Sequence, residues 1–503
     1  MKRTTALILA MILAFSLCGC GGTANSTAKE KTMVSSRDYA EGGSCIVTEN
    51  GVVNFDETTE GYMTSDRNHI ITLTDGTLSY SDAKMENTVE VDTDVDYVGL
   101  IKNDGFLYGN EDGDYYRVTF GTEEPLKLAE MNDARVAANK CALLYSTDDS
   151  VYTLAPDSDE KNKVGTYTDD VSLRGVSDDT SMAVWLLNDG DDEWTPVFCV
   201  NGETTKGETY TASYSSFYAD FSEDQSLMVA YSYNANYIYI VKAGEEVVKV
   251  TLPDEVNSVD CNKGEIDQAK ASDITSIYVT IDADSGVKLY GITLDGEKES
   301  LLSNIGEAQV SNGKVVYTDE DGDLYYADVN GTSIGEETKI TGDCDDFDFT
   351  DSGEYVYLTK DYDSSAYTVS LYAYKLGDDK PTRIASDVYF YYYSFISYYV
   401  STDGASVYYL KDMQDVPDSY SDYGNLYCWT YSAKDPTSVK IAGDVLDGTI
   451  TSFLSNGIDK TNVVFDRYNS TTEKDGETYI SYDLIKWNGK ETEKLCSDLI
   501  EEA

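Results

Sequence analysis

Asp348-Phe349-Thr350-Asp351-Ser352-Gly353-Glu354-Tyr355-Val356-Tyr357-Leu358 holds the pattern from which the rest of the chain can be read. A polar turn around Ser352-Gly353 opens into a strand. There Tyr355, Tyr357 and Thr359 alternate with Val356, Leu358 and Lys360. Alternation with period two marks a strand whose two faces meet different surroundings. The phrase recurs: Phe221-Ser222-Glu223-Asp224-Gln225-Ser226-Leu227-Met228-Val229-Ala230 is a second copy, and Val400-Ser401-Thr402-Asp403-Gly404 a third. Val315-Val316-Tyr317, then Asp319-Glu320-Asp321-Gly322-Asp323, then Leu324-Tyr325-Tyr326 reads as a hairpin. Helical stripes are nearly absent, with modest candidates only at 263–272 and in the last ten residues.

Turn pairs punctuate the chain at Asp75-Gly76, Asp104-Gly105, Asp148-Asp149, Asp178-Asp179, Glu223-Asp224, Asn312-Gly313, Ser352-Gly353, Asp403-Gly404 and Asn456-Gly457. Asp-Gly and Asn-Gly tolerate the positive φ of tight hairpins. Most intervals are about 40–50 residues, the length of a four-stranded propeller blade. The repeated phrase resembles the F-S-x-D-G-x-x-(I/V)-x-(F/Y) motif of TolB-like and WD40-like (PD40-type) propellers. Their partner phrase, an (I/L)-Y strand ending in D-x-x-G, is met at 324–331 and 371–377. The chain departs from the family in lacking the Pro before Asp-Gly and the G-H…W-D signature. The resemblance covers most of 66–470 and implies an all-β propeller of about eight four-stranded blades, within a range of seven to ten. One ring over 45–503 is expected, closed by pairing a first strand near 45–55 with the last blade. Two smaller propellers in tandem are the alternative, but no Pro/Gly/Ser linker splits the middle of the chain.

The N-terminus reads as an address. Lys2 and Arg3 precede a short apolar run, Leu7 to Phe15, which suits a secretory signal over 1–19. Leu17-Cys18-Gly19-Cys20 resembles the lipobox of bacterial lipoproteins, so Cys20 is expected to carry the lipid anchor (diacyl, palmitate-type). Two acyl chains suffice for stable anchoring. Residues 20–44 then form a flexible Gly/Ser/Thr-rich tether. The expected location is the extracytoplasmic face of a bacterial cell membrane.

Charge excludes whole classes of function. The chain of 503 residues carries 37 Lys and Arg against 92 Asp and Glu, a net −55. Such a polyanion repels phosphate backbones, which argues against nucleic-acid binding. A single His makes a multi-histidine metal site implausible. Cys45, Cys141, Cys199, Cys261, Cys344, Cys428 and Cys496 are widely spaced, which fits small buried apolar residues better than a disulfide framework.

Catalytic constellations are missing. No Gly-x-Ser-x-Gly occurs, and the one possible base, His69, reads as a strand or turn residue. Four acidic turns could hold Ca²⁺, and the turn of Asp319, Asp321 and Asp323 is the one to test. It does not match the twelve-residue EF-hand, and a solubilising hairpin turn explains it as well. Tyrosine is abundant, with 43 residues. Alternation places Tyr389, Tyr391 and Tyr393 on one face, while Tyr423, Tyr427 and Trp429 form a second aromatic set. These residues read either as a platform for a sugar or peptide or as inter-blade core. The insertion 413–424 is the expected functional loop. The reading is a monomeric, non-catalytic binding or scaffold module for a protein, peptide or envelope glycan. The alternative is a carbohydrate-active hydrolase or lyase working through a carboxylate pair.

Overall fold

The computed structural model describes residues 37–39, 43–48 and 51–502, apart from 123, 129–130, 169, 189, 191, 213–215, 284–285, 391–397, 418, 420, 433–435, 437, 453–462 and 475–476. Cys20, the signal segment 1–19 and nearly all of the tether lie outside the described residues. Within them strand follows strand. The one helical element is a short 3-10 turn, Ile266–Gln268, in place of the stripe at 263–272. The last ten residues are not helical. They belong to strand Thr492–Glu502, whose Leu499 is fully buried against its neighbours.

Among the described residues ten four-stranded antiparallel blades run in chain order: 59–92, 95–127, 133–166, 170–211, 217–251, 256–305, 305–341, 346–389, 398–446 and 451–502. We number them 1 to 10 and name their strands a to d. Blades 6 and 7 share strand Lys298–Ser311, which ends one blade and starts the next. A three-stranded N-terminal unit, 37–55, precedes blade 1. Its Asp38 and Tyr39 pair with Ile500 and Leu499 of the last blade.

Among the described residues eleven apolar clusters fill the seams; nine unite two adjacent units, and two at blades 8 to 10 and the N-terminal unit draw on three. Ile71 meets Phe106 between blades 1 and 2, and Leu107 shares a cluster with Leu143 between 2 and 3. Leu144 and Trp185 join blades 3 and 4, Phe198 and Phe217 join 4 and 5, and Ile240 and Ile277 join 5 and 6. Leu289 with Val315, Val316 with Phe347, Tyr357 with Trp429, and Tyr408 with Phe465 continue the series to blade 10. Leu499 and Cys45 join blade 10 to the N-terminal unit, and Phe55 and Ile70 join that unit to blade 1. The sequence of seams returns to its start, the order a β-propeller requires. Closure removes the free sheet edges that a linear array would leave at its ends.

Ten blades stand at the top of the expected range rather than at eight. Eight of the nine turn pairs fall one to a blade, and the ninth, Asn456-Gly457, lies outside the described residues. Blade 6 has no such turn. Its a–b connection runs over 262–275 through the 3-10 turn, so nothing in the sequence announced it.

The repeated Ser/Thr-x-Asp phrase is the a–b turn itself. Ser222 Oγ donates to the Asp224 carboxylate at 2.8 Å while accepting the Leu227 N–H at 3.1 Å. Ser177 does the same with Asp179 (2.9 Å) and Met182 (2.9 Å), and Ser401 with Asp403 (2.6 Å) and Ser406 (2.9 Å). Thr64 repeats it with Asp66 and His69. One hydroxyl thus satisfies a backbone donor and orients a turn carboxylate. That is why the phrase marks architecture.

Candidate functional site

Blades 8, 9 and 10 have long b–c hairpins, and a cavity of about 690 Å³ opens between the first two. Ala366, Tyr367 and Thr368 come from the tip of the blade 8 hairpin, and Asp387, Tyr389 and Phe390 from the end of its outer strand. Blade 9 supplies Asp412, Met413, Asp415 and Asp422. Among the described residues the wall therefore carries four carboxylates and three aromatic rings, and no Lys or Arg.

Local backbone features set this geometry. Asp387 and Asp412 sit at β-bulges with φ of 56° and 58°. A bulge re-aims the strand and adds a residue to one side. The Phe390 N–H donates to the Tyr367 carbonyl at 2.8 Å, tying the outer strand to the hairpin tip. Tyr362 packs edge-on against Phe390 at 5.2 Å.

Asp415 and Asp422 stand directly opposite each other across the hairpin. The Tyr389 hydroxyl donates to the Asp422 carboxylate. Burial raises the Asp422 carboxyl above the ordinary range. Tyr389 opposes the rise and the nearby Asp415 charge adds to it. Asn425 Nδ2 donates to Asp412 at 2.8 Å. Two unneutralised carboxylates beside aromatic faces favour a cation that can accept both contacts.

Of the aromatic residues singled out by sequence, only Tyr389 lines the cavity; Tyr391 and Tyr393 lie outside the described residues. Trp429 is 2% exposed in the seam between blades 8 and 9, where Tyr427 also packs, stacked on Tyr409 at 5.6 Å. These two are core, because the face they occupy is pressed against blade 8. Tyr423 is half-buried, stacks on Tyr468 at 4.7 Å and donates to Gln414 at 3.2 Å. Met413, Asp415 and Asp422 belong to the insertion 413–424. Tyr367, Asp387 and Asp412 were not anticipated, although Ile384-Ala385-Ser386-Asp387-Val388 and Ile441-Ala442-Gly443-Asp444-Val445 repeat a phrase that could have marked the bulges of the outer strands.

The acidic turn of blade 7 is used internally. The Asp319 carboxylate accepts the N–H groups of Asp321 (3.0 Å) and Asp323 (2.9 Å), and Lys339 donates to Asp323. Among the described residues no group of three or more His, Cys, Asp or Glu is arranged to hold a metal ion. His69 is stacked on Phe120 at 3.9 Å, and burial lowers its pKa.

A second charged zone lies at the hub, where the a strands of neighbouring blades approach one another. These strands carry Arg135 and Arg174 in blades 3 and 4, then Asp220, Asp260 and Asp348 in blades 5, 6 and 8. Burial pushes the Asp220 carboxyl up to about 6, with Asp267 and Glu265 adding to the rise. Burial pushes Asp260 up to about 7, with Glu265 and Asp220 adding.

No protein-family model and no curated protein matches the chain. Among solved structures the chain is similar to the tricorn protease at 11% identity and a TM-score of 0.33, over 93% of this chain and 58% of that one. It is similar to a eukaryotic initiation factor at 10% identity and a TM-score of 0.39, over 83% and 97% of the two chains. A third likeness is to PorZ, a bacterial surface component of the type-IX secretion system of Porphyromonas gingivalis, at 11% identity, a TM-score of 0.26, and 92% and 73% coverage. Likeness at this level assigns no activity to the chain.

Proposed function

We propose that the chain is a lipid-anchored, extracytoplasmic propeller of the TolB-like kind that binds a cationic polypeptide. A Lys or Arg side chain of the partner enters the cavity between blades 8 and 9. The observation that carries this reading is the wall of that cavity: Asp387, Asp412, Asp415 and Asp422 beside Tyr367, Tyr389 and Phe390, with no basic residue among them. The net charge of −55 supports it by steering cations toward the whole surface. Anchoring rests on the lipobox reading of Cys20, and the resemblance of the turn phrases supports the TolB-like assignment. The ring acts by preorganisation, since its hairpins are held in place before the partner arrives.

The test is calorimetric titration of the full chain with an N-acetylated Lys-Lys-Lys peptide. A D415N/D422N variant is expected to weaken binding about tenfold, whereas D319N/D321N on blade 7 leaves it within about twofold. Equal weakening by both pairs would reduce the interaction to general charge and overturn the site. Turnover of a glycan by the parent chain, lost in D422N, would favour the carboxylate-pair enzyme instead.

A further inference from the structure

The chain has 43 tyrosines, yet among the described residues only four are exposed: Tyr218, Tyr233, Tyr362 and Tyr367. The last two belong to the blade 8 hairpin. The first two stand together on blade 5, remote in sequence from the cavity, and are 44% and 41% exposed. Tyr218 of strand a faces Tyr231 of strand b directly, and Tyr233 follows two residues later on the same face. The Tyr218 ring stacks on Tyr231 at 5.6 Å and 21°, and Tyr233 lies 4.9 Å from Tyr218 at 49°. Tyr231 is buried below them and holds both rings up.

Polar groups flank this surface. Asp220 lies two residues along from Tyr218, on the same face, and its carboxylate takes a hydrogen bond from the Tyr231 hydroxyl. Ser216, two residues the other way, hydrogen-bonds the Asn234 side chain next to Tyr233. Arg174 of blade 4 lies within electrostatic reach of Tyr218. All the other described tyrosines are buried or half-buried, so keeping two neighbouring rings in water beside a built polar edge calls for an occupant. Its chemistry is bounded on both sides. The Arg174 charge disfavours a cation over the rings. Asp220, with Glu265 and Asp267 nearby, disfavours an anion.

We infer that Tyr218, Tyr231 and Tyr233 form a second ligand site, which takes a neutral sugar ring. One apolar C–H face of the pyranose lies on Tyr218 and Tyr233. Its hydroxyls meet Asp220 on one side and the Ser216–Asn234 pair on the other. Tyrosine suits this role because it offers a large rigid face at low entropy cost. The site is separate from the cation cavity of blades 8 and 9 and does not depend on it.

Saturation-transfer NMR on the full chain tests this with four probes: the methyl glycosides of glucose, galactose, mannose and N-acetylglucosamine. At least one is expected to receive transfer, strongest at ring C–H protons. Y218A and Y233A should each weaken that probe about tenfold, the effect of losing one aromatic contact. Y233F should bind within about twofold, which separates ring stacking from any loss of folding. D422N should leave sugar binding unchanged. No transfer to any of the four probes would overturn the inference, as would transfer that survives a Y218A/Y233A double variant. Capture of tetramethylammonium by the same tyrosines, without sugar, would also overturn it.

Discussion

Blades 1 to 5 and blades 8 to 10 are built from the same repeat and end in different places. In the first group strands b and c are 4–8 residues long, and their pairing runs without a shift in register. In the second group they are 8–12 residues long, and every b–c pair carries one shift: at Lys360/Asp363, Lys411/Gln414 and Tyr468/Ser470. The outer strands match them, with Asp387, Asp444 and Asp498 at φ of 56°, 58° and 61°. Below the bulge the two groups pack alike. Above it the long hairpins extend past the seam, and the space between two of them becomes the cavity. The comparison teaches that a propeller can open a cavity between two blades without altering its seams, by adding bulged residues to the b strands and the outer strands. Alternation resumes beyond a bulge, so the apolar face below it stays in register.

If the seams are equivalent in both regions, equivalent damage should cost the same. Trp185 fills the seam between blades 3 and 4, and Trp429 the seam between blades 8 and 9, at 1% and 2% exposure. W185A and W429A should each lose about 3–5 kcal/mol in denaturant unfolding, from burial plus the cavity left behind. A loss below about 1.5 kcal/mol for W429A alone would break the comparison. It would mean that the long blades are held by their hairpins and not by their seams.

The part legible in the sequence was the part set by local chemistry. Ser222-Glu223-Asp224 and its copies gave the a–b turns, because the hydroxyl and carboxylate act within six residues of each other. Period two gave the strands. Blade 6 was hidden because its connection over 262–275 lacks the turn. The candidate site was legible only in part. Met413, Asp415 and Asp422 lay in a segment whose length betrayed it, but Asp387 reaches the cavity from another blade through a ring-scale contact that no spacing encodes. Nor could alternation tell Trp429, pressed into a seam, from Tyr218, left in water. Both sit on strands of similar pattern, and the neighbouring blade decides which face is covered.

A smaller effect concerns pH. Burial among like charges pushes Asp260 up to about 7, and Asp220, Asp346 and Asp447 up to about 6. Each raised carboxyl binds its proton more tightly in the folded chain than in the unfolded one. Its contribution to stability is therefore fully present below about pH 4 and lost as pH rises through 6 to 7. The propeller should melt a few degrees higher at pH 5 than at pH 8, the reverse of a protein held by lowered carboxylates. D260N should raise the pH 8 melting temperature and flatten the slope, leaving tripeptide binding at blades 8 and 9 unchanged. A melting temperature that falls steadily from pH 8 to pH 5 would remove these raised acids from the stability account. Asp483, lowered by Lys494, Asn469 and Arg467 against its burial, works in the opposite sense and loses its contribution only at lower pH.

The smallest effect isolates the bulge itself. Asp387 and Asp444 occupy the same place in successive outer strands, both in the left-handed region. Alanine there costs about 1 kcal/mol, whereas glycine adopts that φ freely. D387A and D444A should therefore destabilise by about 1 kcal/mol and the two glycine variants by less than about 0.5 kcal/mol. Binding should divide the pair differently. Asp387 lines the cavity and Asp444 does not, so D387G should weaken the Lys-Lys-Lys peptide several-fold while D444G leaves it unchanged. If D387G binds like the parent, the bulge acids serve only backbone geometry. The charged part of the cation site then reduces to the blade 9 hairpin, and the outer strand of blade 8 is left without a carboxylate in recognition.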